Sequence, residues 1–297
     1  MPTIKQIEAL ITKRSALVEL LLNQLDKSVI DTQSELSRVV INDFVDKLDT
    51  DENGNIKNTQ ANRSRLALFD GIYRRFNQNT GIEVIKTIAD GVGQMIDFNK
   101  GYFSLFEEET KLLPINKQVT ETIETWLGVT DRGRIVENGY LDTLVKDSTV
   151  KNQIKNMMVT AIIGQQGYNA AKKQVKEYVE GNKEKTGGLE RYYRNFVTDT
   201  YSVVDRTISK QYAEKLKLNY YIYEGGLVRE SRAFCKKRNG QVFTSEEVSA
   251  FDPSKEGISL MPGYDPFLHL GSWGCRHHLN PINYTVAKAL RPDLPKE

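Results

Sequence analysis

The segments YYIYEGGLVRESRAFCKKRNGQVFTSEEV (220–248) and HLGSWGCRHHLNPI (269–282) hold both cysteines and all three histidines of the chain, so any chemistry must start there. Tyr220–Tyr223 is an aromatic and β-branched run closed by Glu224-Gly225-Gly226, the composition of a strand entering a tight turn. Ser231 precedes a turn or two of helix through Cys235, and Asn239-Gly240 ends it, because that pair accepts left-handed backbone. Gln241-Val242-Phe243 reads as a second strand. Thr244 and Glu247 have the spacing of a capping box, in which hydroxyl and carboxylate satisfy free backbone amides, so a short helix follows. With the loop bearing Pro253, Gly257, Pro262, Gly263 and Pro266, these pieces describe a small α+β module with a thin apolar core.

A thin core invites a staple, and three arrangements of Cys235 and Cys275 stand open. A tetrahedral zinc site would take both thiolates with imidazoles from His277 or His278 and from His269, although only Cys275-x-His277 is close-spaced. A disulfide would require an oxidising compartment, and no apolar N-terminal region directs the chain to one. The arrangement that needs nothing added is two thiols packed as small apolar groups, with the histidines hydrogen-bonded nearby. Catalytic readings are poorer. Cys235 with His277 could form a nucleophile pair, but no motif supplies an orienting third group or an oxyanion hole. The string His277-His278-Leu279-Asn280 has the residue types of a metal-dependent nuclease, yet no second ligand segment follows it.

The order of these residues carries a resemblance. An aromatic strand, then Ser231-Arg232-Ala233-Phe234-Cys235, then Asn239-Gly240-Gln241-Val242-Phe243, and finally Gly274-Cys275-Arg276-His277 with Pro281, resembles the C-terminal module of the MuF-like phage head-morphogenesis proteins. Gln241 stands where that family often has lysine, and Ser272-Trp273 where it often has His-Pro. The likeness covers the last third of the chain; the helical stretch 191–218 is similar only loosely. It implies a non-enzymatic minor structural protein of a tailed-phage virion, bound to the portal protein and inner capsid inside the head. Several copies would be arranged by the portal ring, acting in head assembly and in genome packaging or ejection, with assembly in the host cytoplasm and non-specific contact with packaged DNA. No fused enzyme is expected after the module. The structural motif is then Arg232, Cys235, Gly240, Trp273, Cys275, Arg276 and His277, with the arginines bonding carbonyls or carboxylates within the module and the two cysteines meeting in space. No cofactor is implied, but Cys235, His269, Cys275 and His277 are the set that could hold zinc. The alternative is a metal-dependent nuclease or a Cys/His hydrolase acting at the head.

Around this module the composition is unremarkable: 41 basic against 39 acidic residues leaves a net charge of +2, which excludes a histone-like DNA packager. The basic groups Arg74-Arg75, Lys172-Lys173 and Lys236-Lys237-Arg238 read as solvated helix faces that could touch phosphate. No apolar run is long enough to span a bilayer. Thr3-Ile4-Lys5-Gln6 is a capping box before Ile4, Ile7, Leu10, Ile11, Leu17, Leu21 and Leu25, continued by Leu36, Val40, Phe44 and Leu48, which predicts one long helix or a broken pair. Asp49-Thr50-Asp51-Glu52-Asn53-Gly54 opens like an EF-hand loop, but Lys57 and Gln60 stand at its ninth and twelfth positions, so a plain turn is expected.

Leu66, Phe69, Ile72 and Phe76 mark a helix ended by the polar residues 77–81. A long helix on Ile85, Ile88, Val92, Met95, Tyr102 and Phe106 is stopped by Pro114, and a short one follows with Trp126 as a core anchor. An exposed connection at 129–139 leads to further helices, interrupted by Gly164–Gly167 and by a mobile loop at 181–188, before Tyr193, Phe196, Val203 and Tyr212 mark the last one. The expected fold is therefore mainly α: an elongated helical N-terminal region (1–128), a second helical region (129–218) and the small α+β module (219–297).

Overall fold

The apolar stripes become helices where their spacing places them. In the computed structural model, which describes residues 2–130, 134–146 and 148–295, α1 (Ile4–Asp43) is one unbroken helix. The Gln6 N–H donates to Thr3 Oγ1 at 3.3 Å and the Thr3 N–H to Gln6 Oε1 at 2.8 Å, which is the expected capping box. The 49–60 segment is a turn in which Asp51 Oδ1 accepts from the N–H groups of Asn53 and Asn55.

Three boundaries differ from the sequence reading. α2 (Gln60–Phe76) does not end at 77–81 but runs through a π-helical turn, Asn77–Gly81, into α3 (Ile82–Phe103), because none of those polar residues lacks an N–H. Pro114 stops nothing. It lies near the start of α4 (Glu109–Leu127), where it forfeits a single backbone bond. Trp126 is 41% exposed; the buried stripe of α4 is Leu112, Val119, Ile123 and Leu127, and Trp126 sits one residue off it.

α5 (Tyr140–Lys146), α6 (Thr149–Ile163), α7 (Tyr168–Glu180) and α8 (Gly188–Leu216) follow. The loop before α8, expected to be mobile, is a closed turn. Gly181 bridges to Thr186, and Asn182 Oδ1 accepts from the N–H groups of Glu184 and Lys185. In the 129–139 connection Val129 bridges to Ile135, while 131–133 lie outside the described residues, as does the Phe196 side chain expected on the last helix. The chain is 67% helical, so the mainly α reading holds. No helix among the described residues is long and apolar enough to cross a membrane.

Contacts divide the chain into two compact units rather than three consecutive segments. One comprises Asn23–Ala89 and Gly128–Phe196, and its regular elements among the described residues are helices. Its core includes a row of rings, Phe44 to Phe69 at 5.1 Å, Phe69 to Tyr73 at 6.2 Å and Tyr73 to Phe76 at 5.8 Å. The buried Gln33 amide donates to the Glu180 carbonyl and accepts from the Glu190 N–H.

The other unit comprises Met1–Leu22, Asp90–Leu127 and Val197–Glu297, and it contains the sheet. β1 (Tyr220–Gly225) lies between β2 (Gln241–Thr244) and β3 (His277–Ile282), antiparallel to both. The sequence reading missed β3, whose His-His-Leu-Asn-Pro-Ile has little β-branched character; Pro281 is accommodated because β3 is an edge strand. One face of the sheet, with Tyr220, Ile222, Val242 and Ile282, packs with Ile7 and Ile11 of α1 and with Val286 and Ala287 of α12 (Tyr284–Leu290). A two-layer core of this kind needs distant helices, which is why residues 219–297 do not form a unit alone. The opposite face carries Tyr223 and Phe243 against Phe234 of α9 (Ala233–Arg238) and Phe251, which follows α10 (Ser245–Ser249). Thr244 and Glu247 form the expected capping box, and Gly240 has the left-handed φ of +78°.

Candidate functional site

Side chains of adjacent strand residues point to opposite faces, and β3 uses that rule to separate two neighbouring histidines. His277, opposite Gly225, faces the cysteines; His278, opposite Glu224, faces α1 and α8. Gly225 makes the pairing possible, since a Cβ there would lie 2.6 Å from His277 Cα and 2.7 Å from the Arg276 carbonyl oxygen.

Cys235 arrives on α9 and Cys275 on the loop before β3. Their sulfurs are 3.9 Å apart, both thiols are free, and both residues are buried. His277 Nδ1 lies 3.9 Å from Cys275 Sγ, and the Tyr223 hydroxyl lies 4.0 Å from the same sulfur. Gly271 closes the back of the cluster: a Cβ there would meet Cys235 Sγ at 2.6 Å. The hydrogen bond from Cys235, aided by His277 and the Arg206 guanidinium, lowers the Cys275 pKa well below the usual thiol range against the effect of burial. The Cys235 thiol is pushed up by its bond to Cys275 and by burial, so the pair favours one thiolate and one thiol. Burial pushes the Tyr223 hydroxyl far up, so it stays protonated.

Of the four residues expected to hold zinc, the fold brings together three, Cys235, Cys275 and His277. His269 is not among them: it ends α11 (Pro266–His269), and its Nδ1 accepts from the Asp265 N–H at 2.7 Å. His278 is also out of reach, on the other face of β3. The carbonyl bonds expected of the motif arginines are made by Arg232, which donates to Gly271 O at 3.0 Å and Trp273 O at 2.5 Å. Arg276 is exposed and takes no such part, and Trp273 is 46% exposed.

The role given to Arg276 belongs to Arg206, on α8. Its guanidinium donates to His277 O at 2.7 and 3.0 Å, Cys275 O at 2.5 Å and Leu268 O at 2.9 Å. The Cys275 carbonyl stands in the loop, where no ladder satisfies it, and those of Leu268 and His277 belong to α11 and to the first residue of β3, so one buried arginine ties the loop to both elements. Asp199, also on α8, accepts from the Gly274 N–H at 2.7 Å, and burial raises its pKa.

Asp205, the residue before Arg206, serves the other face. Its Oδ1 accepts from Asn99 Nδ2 at 2.9 Å and lies 3.8 Å from Arg14 Nε; its Oδ2 lies 2.8 Å from His278 Nδ1, without the alignment of a good hydrogen bond. Arg14 donates to Asn99 Oδ1 at 2.6 Å and Asn280 Oδ1 at 3.0 Å, with the Tyr102 ring 5.0 Å from its guanidinium carbon. Burial opposes the Asp205 charge, but Arg14, His278 and Asn99 overcome it and hold the carboxyl well below its usual range. Burial, partly offset by Asp205, lowers the His278 pKa, so that ring is neutral at pH 7. The sequence signal for this network was present. Arg14 interrupts the Ile7-Ile11 stripe, Asn99 the Val92-Met95 stripe, and Ser202, Asp205 and Ser209 form a buried polar row on α8.

A cleft of about 300 Å³ reaches Cys235, Cys275 and His277 from solvent, with Val228, Trp273 and Arg276 on its lining. In the helical unit a cavity of about 660 Å³ has on its lining two ion pairs, Lys151 with Asp70 at 3.4 Å and Lys146 with Asp142 at 2.7 Å. Comparison with protein-family models, curated proteins and solved structures finds no match to this chain.

Proposed function

We propose that this chain is a non-enzymatic minor structural protein of a tailed-phage virion, associating with the portal inside the head and acting in head assembly and in genome packaging or ejection. The observation that carries the reading is the bond from Arg232 to the carbonyls of Gly271 and Trp273. The two segments that resemble the head-protein pattern, 40 residues apart at Cys235 and Cys275, are thereby held together. Gly240 and Cys235 serve the same module through a left-handed turn and a buried contact. Residues spent in this way specify a shape, which is what a docking protein must conserve through assembly. Val228 and Trp273, 41% and 46% exposed at the rim of the cleft, are the apolar contacts such a shape offers a partner.

The test is coexpression with a phage portal protein, followed by size-exclusion chromatography, and mass spectrometry of purified DNA-filled particles. Coelution with the portal ring and retention of the chain in filled heads are expected. A chain that binds no portal and is missing from purified particles refutes the reading. Contact with packaged DNA would show as affinity falling steeply with salt, because basic side chains displace condensed cations.

A further inference from the structure

We propose that Cys235, Cys275 and His277 form a three-ligand zinc site whose fourth position opens onto the cleft lined by Val228, Trp273 and Arg276. The inference is independent of the head-protein reading. It begins with the spacing of the donors. A tetrahedral ion with Zn–S bonds of about 2.3 Å and a Zn–N bond of about 2.0 Å holds two sulfurs about 3.8 Å apart and a sulfur and nitrogen about 3.5 Å apart. The two sulfurs here are 3.9 Å apart, and Cys275 Sγ is 3.9 Å from His277 Nδ1. All three donor atoms lie within 4.8 Å of one another, so side-chain shifts of up to about an ångström would complete the coordination.

The second observation is an unsatisfied polar atom. His277 is 2% exposed, and its Nε2 has no hydrogen-bond partner, so the ring's only polar contact is the weak one to sulfur. Nδ1, the nitrogen turned to the sulfur, has only that weak contact at 3.9 Å, and a metal bond there would replace it with a strong one, while Nε2 would keep its proton. The donor set selects the ion: two thiolates and one imidazole suit zinc, whereas oxygen-loving magnesium or calcium would find no carboxylate among the three.

The third observation concerns access and rigidity. All three ligands line the cleft, so the uncovered side of the triangle faces solvent. Structural zinc sites close their fourth position with protein, while sites that exchange ligands keep it open to water. The fully buried Tyr223 hydroxyl lies 4.0 Å from the Cys275 sulfur and can share a hydrogen bond with it. Arg206 supports the set from behind by fixing the carbonyls of Cys275 and His277. The arginines lining the cleft, Arg232 and Arg276, would favour water or a small anion as the exchangeable ligand.

The test uses the full-length chain without an affinity tag. Metal content is measured after dialysis against a weak chelator, and cobalt(II) is then substituted for absorption spectroscopy. One zinc per chain is expected, with a thiolate-to-cobalt charge-transfer band and the intense visible bands of a tetrahedral ion. His269→Ala should keep both, Cys235→Ser and His277→Gln should lose them, and added azide should shift the visible bands. A metal-free wild-type chain, or a cobalt spectrum without the thiolate band, overturns the site whatever the variants do. Loss of metal in His269→Ala overturns the ligand set, and an azide-insensitive spectrum overturns the open position.

Discussion

Replacing Arg14 by methionine isolates the energetics of the buried network. The change keeps an unbranched apolar stem in α1 but removes the hydrogen bonds to Asn280 and Asn99, the charge beside Asp205 and the cation over the Tyr102 ring. Asp205, 1% exposed, is left with one hydrogen bond from Asn99 and a neutral imidazole. Breaking a buried pair by removing one partner costs about 3–5 kcal/mol, because the remaining charge keeps its desolvation penalty. At about 2–4 °C per kcal/mol for a protein of this size, the melting temperature should fall by roughly 6–20 °C. Urea unfolding followed by circular dichroism would measure the loss directly. The diagnostic is the double variant: Arg14→Met with Asp205→Asn should cost clearly less than the two single losses added, since the second change removes the stranded charge. An Arg14→Met protein within 1 kcal/mol of wild type, or strict additivity in the cycle, would refute the reasoning.

Arg206→Met should destabilise by about 3 kcal/mol or more, because three carbonyls lose a charged donor, and metal affinity should drop about tenfold or more; normal chemical denaturation would show that the loop holds itself. Gly225→Ala should cost roughly 1–3 kcal/mol by forcing β3 away at His277, and an unchanged urea midpoint would contradict the 2.6 Å approach. Arg276→Ala, in contrast, should leave stability within about 0.5 kcal/mol, since that side chain is exposed and holds none of the carbonyls; a large fall in melting temperature would restore to it the role assigned here to Arg206. Because the folded-state pKa of Asp205 is lowered, its stabilisation is complete above the unfolded value of about 3.9 and is lost as pH falls toward the folded one. Acid unfolding monitored by circular dichroism should therefore begin at higher pH in Arg14→Met than in wild type, and coincident acid profiles would count against the Arg14–Asp205 coupling.

What could be read in advance follows the range of the interactions. Capping boxes at Thr3 and Thr244, the left-handed turn at Gly240 and the strand at Tyr220 are decided within a few residues, and all are present. β3 was hidden because its pairing depends on β1, not on its own composition; once it is a strand, alternation alone sends His277 and His278 to different faces. That single step removes His278 from the cysteine cluster. His269 drops out for another local reason, since the Asp265 N-cap starts a short helix whose last residue turns its Nδ1 back to the cap backbone.

The network around Asp205 was harder to read, because each member looks like a tolerable flaw in an otherwise apolar stripe. Arg14, Asn99, Asp205 and Asn280 come from four elements, and nothing in any one of them states that the others will meet it. Their convergence follows from covering the sheet. The face bearing Ile222, Asn280 and Ile282 is covered only in part by Val286 and Ala287, and the first turns of α1 supply Ile7, Ile11 and Arg14 to the rest. Asn280 on that face then requires a donor, Arg14 supplies it and brings a positive charge, and Asp205 from α8 balances that charge while Arg206, one residue later, turns to the cysteine loop. Two adjacent residues of one helix thus fix the two faces of the sheet, and the small module completes its core with residues from the first turns of α1.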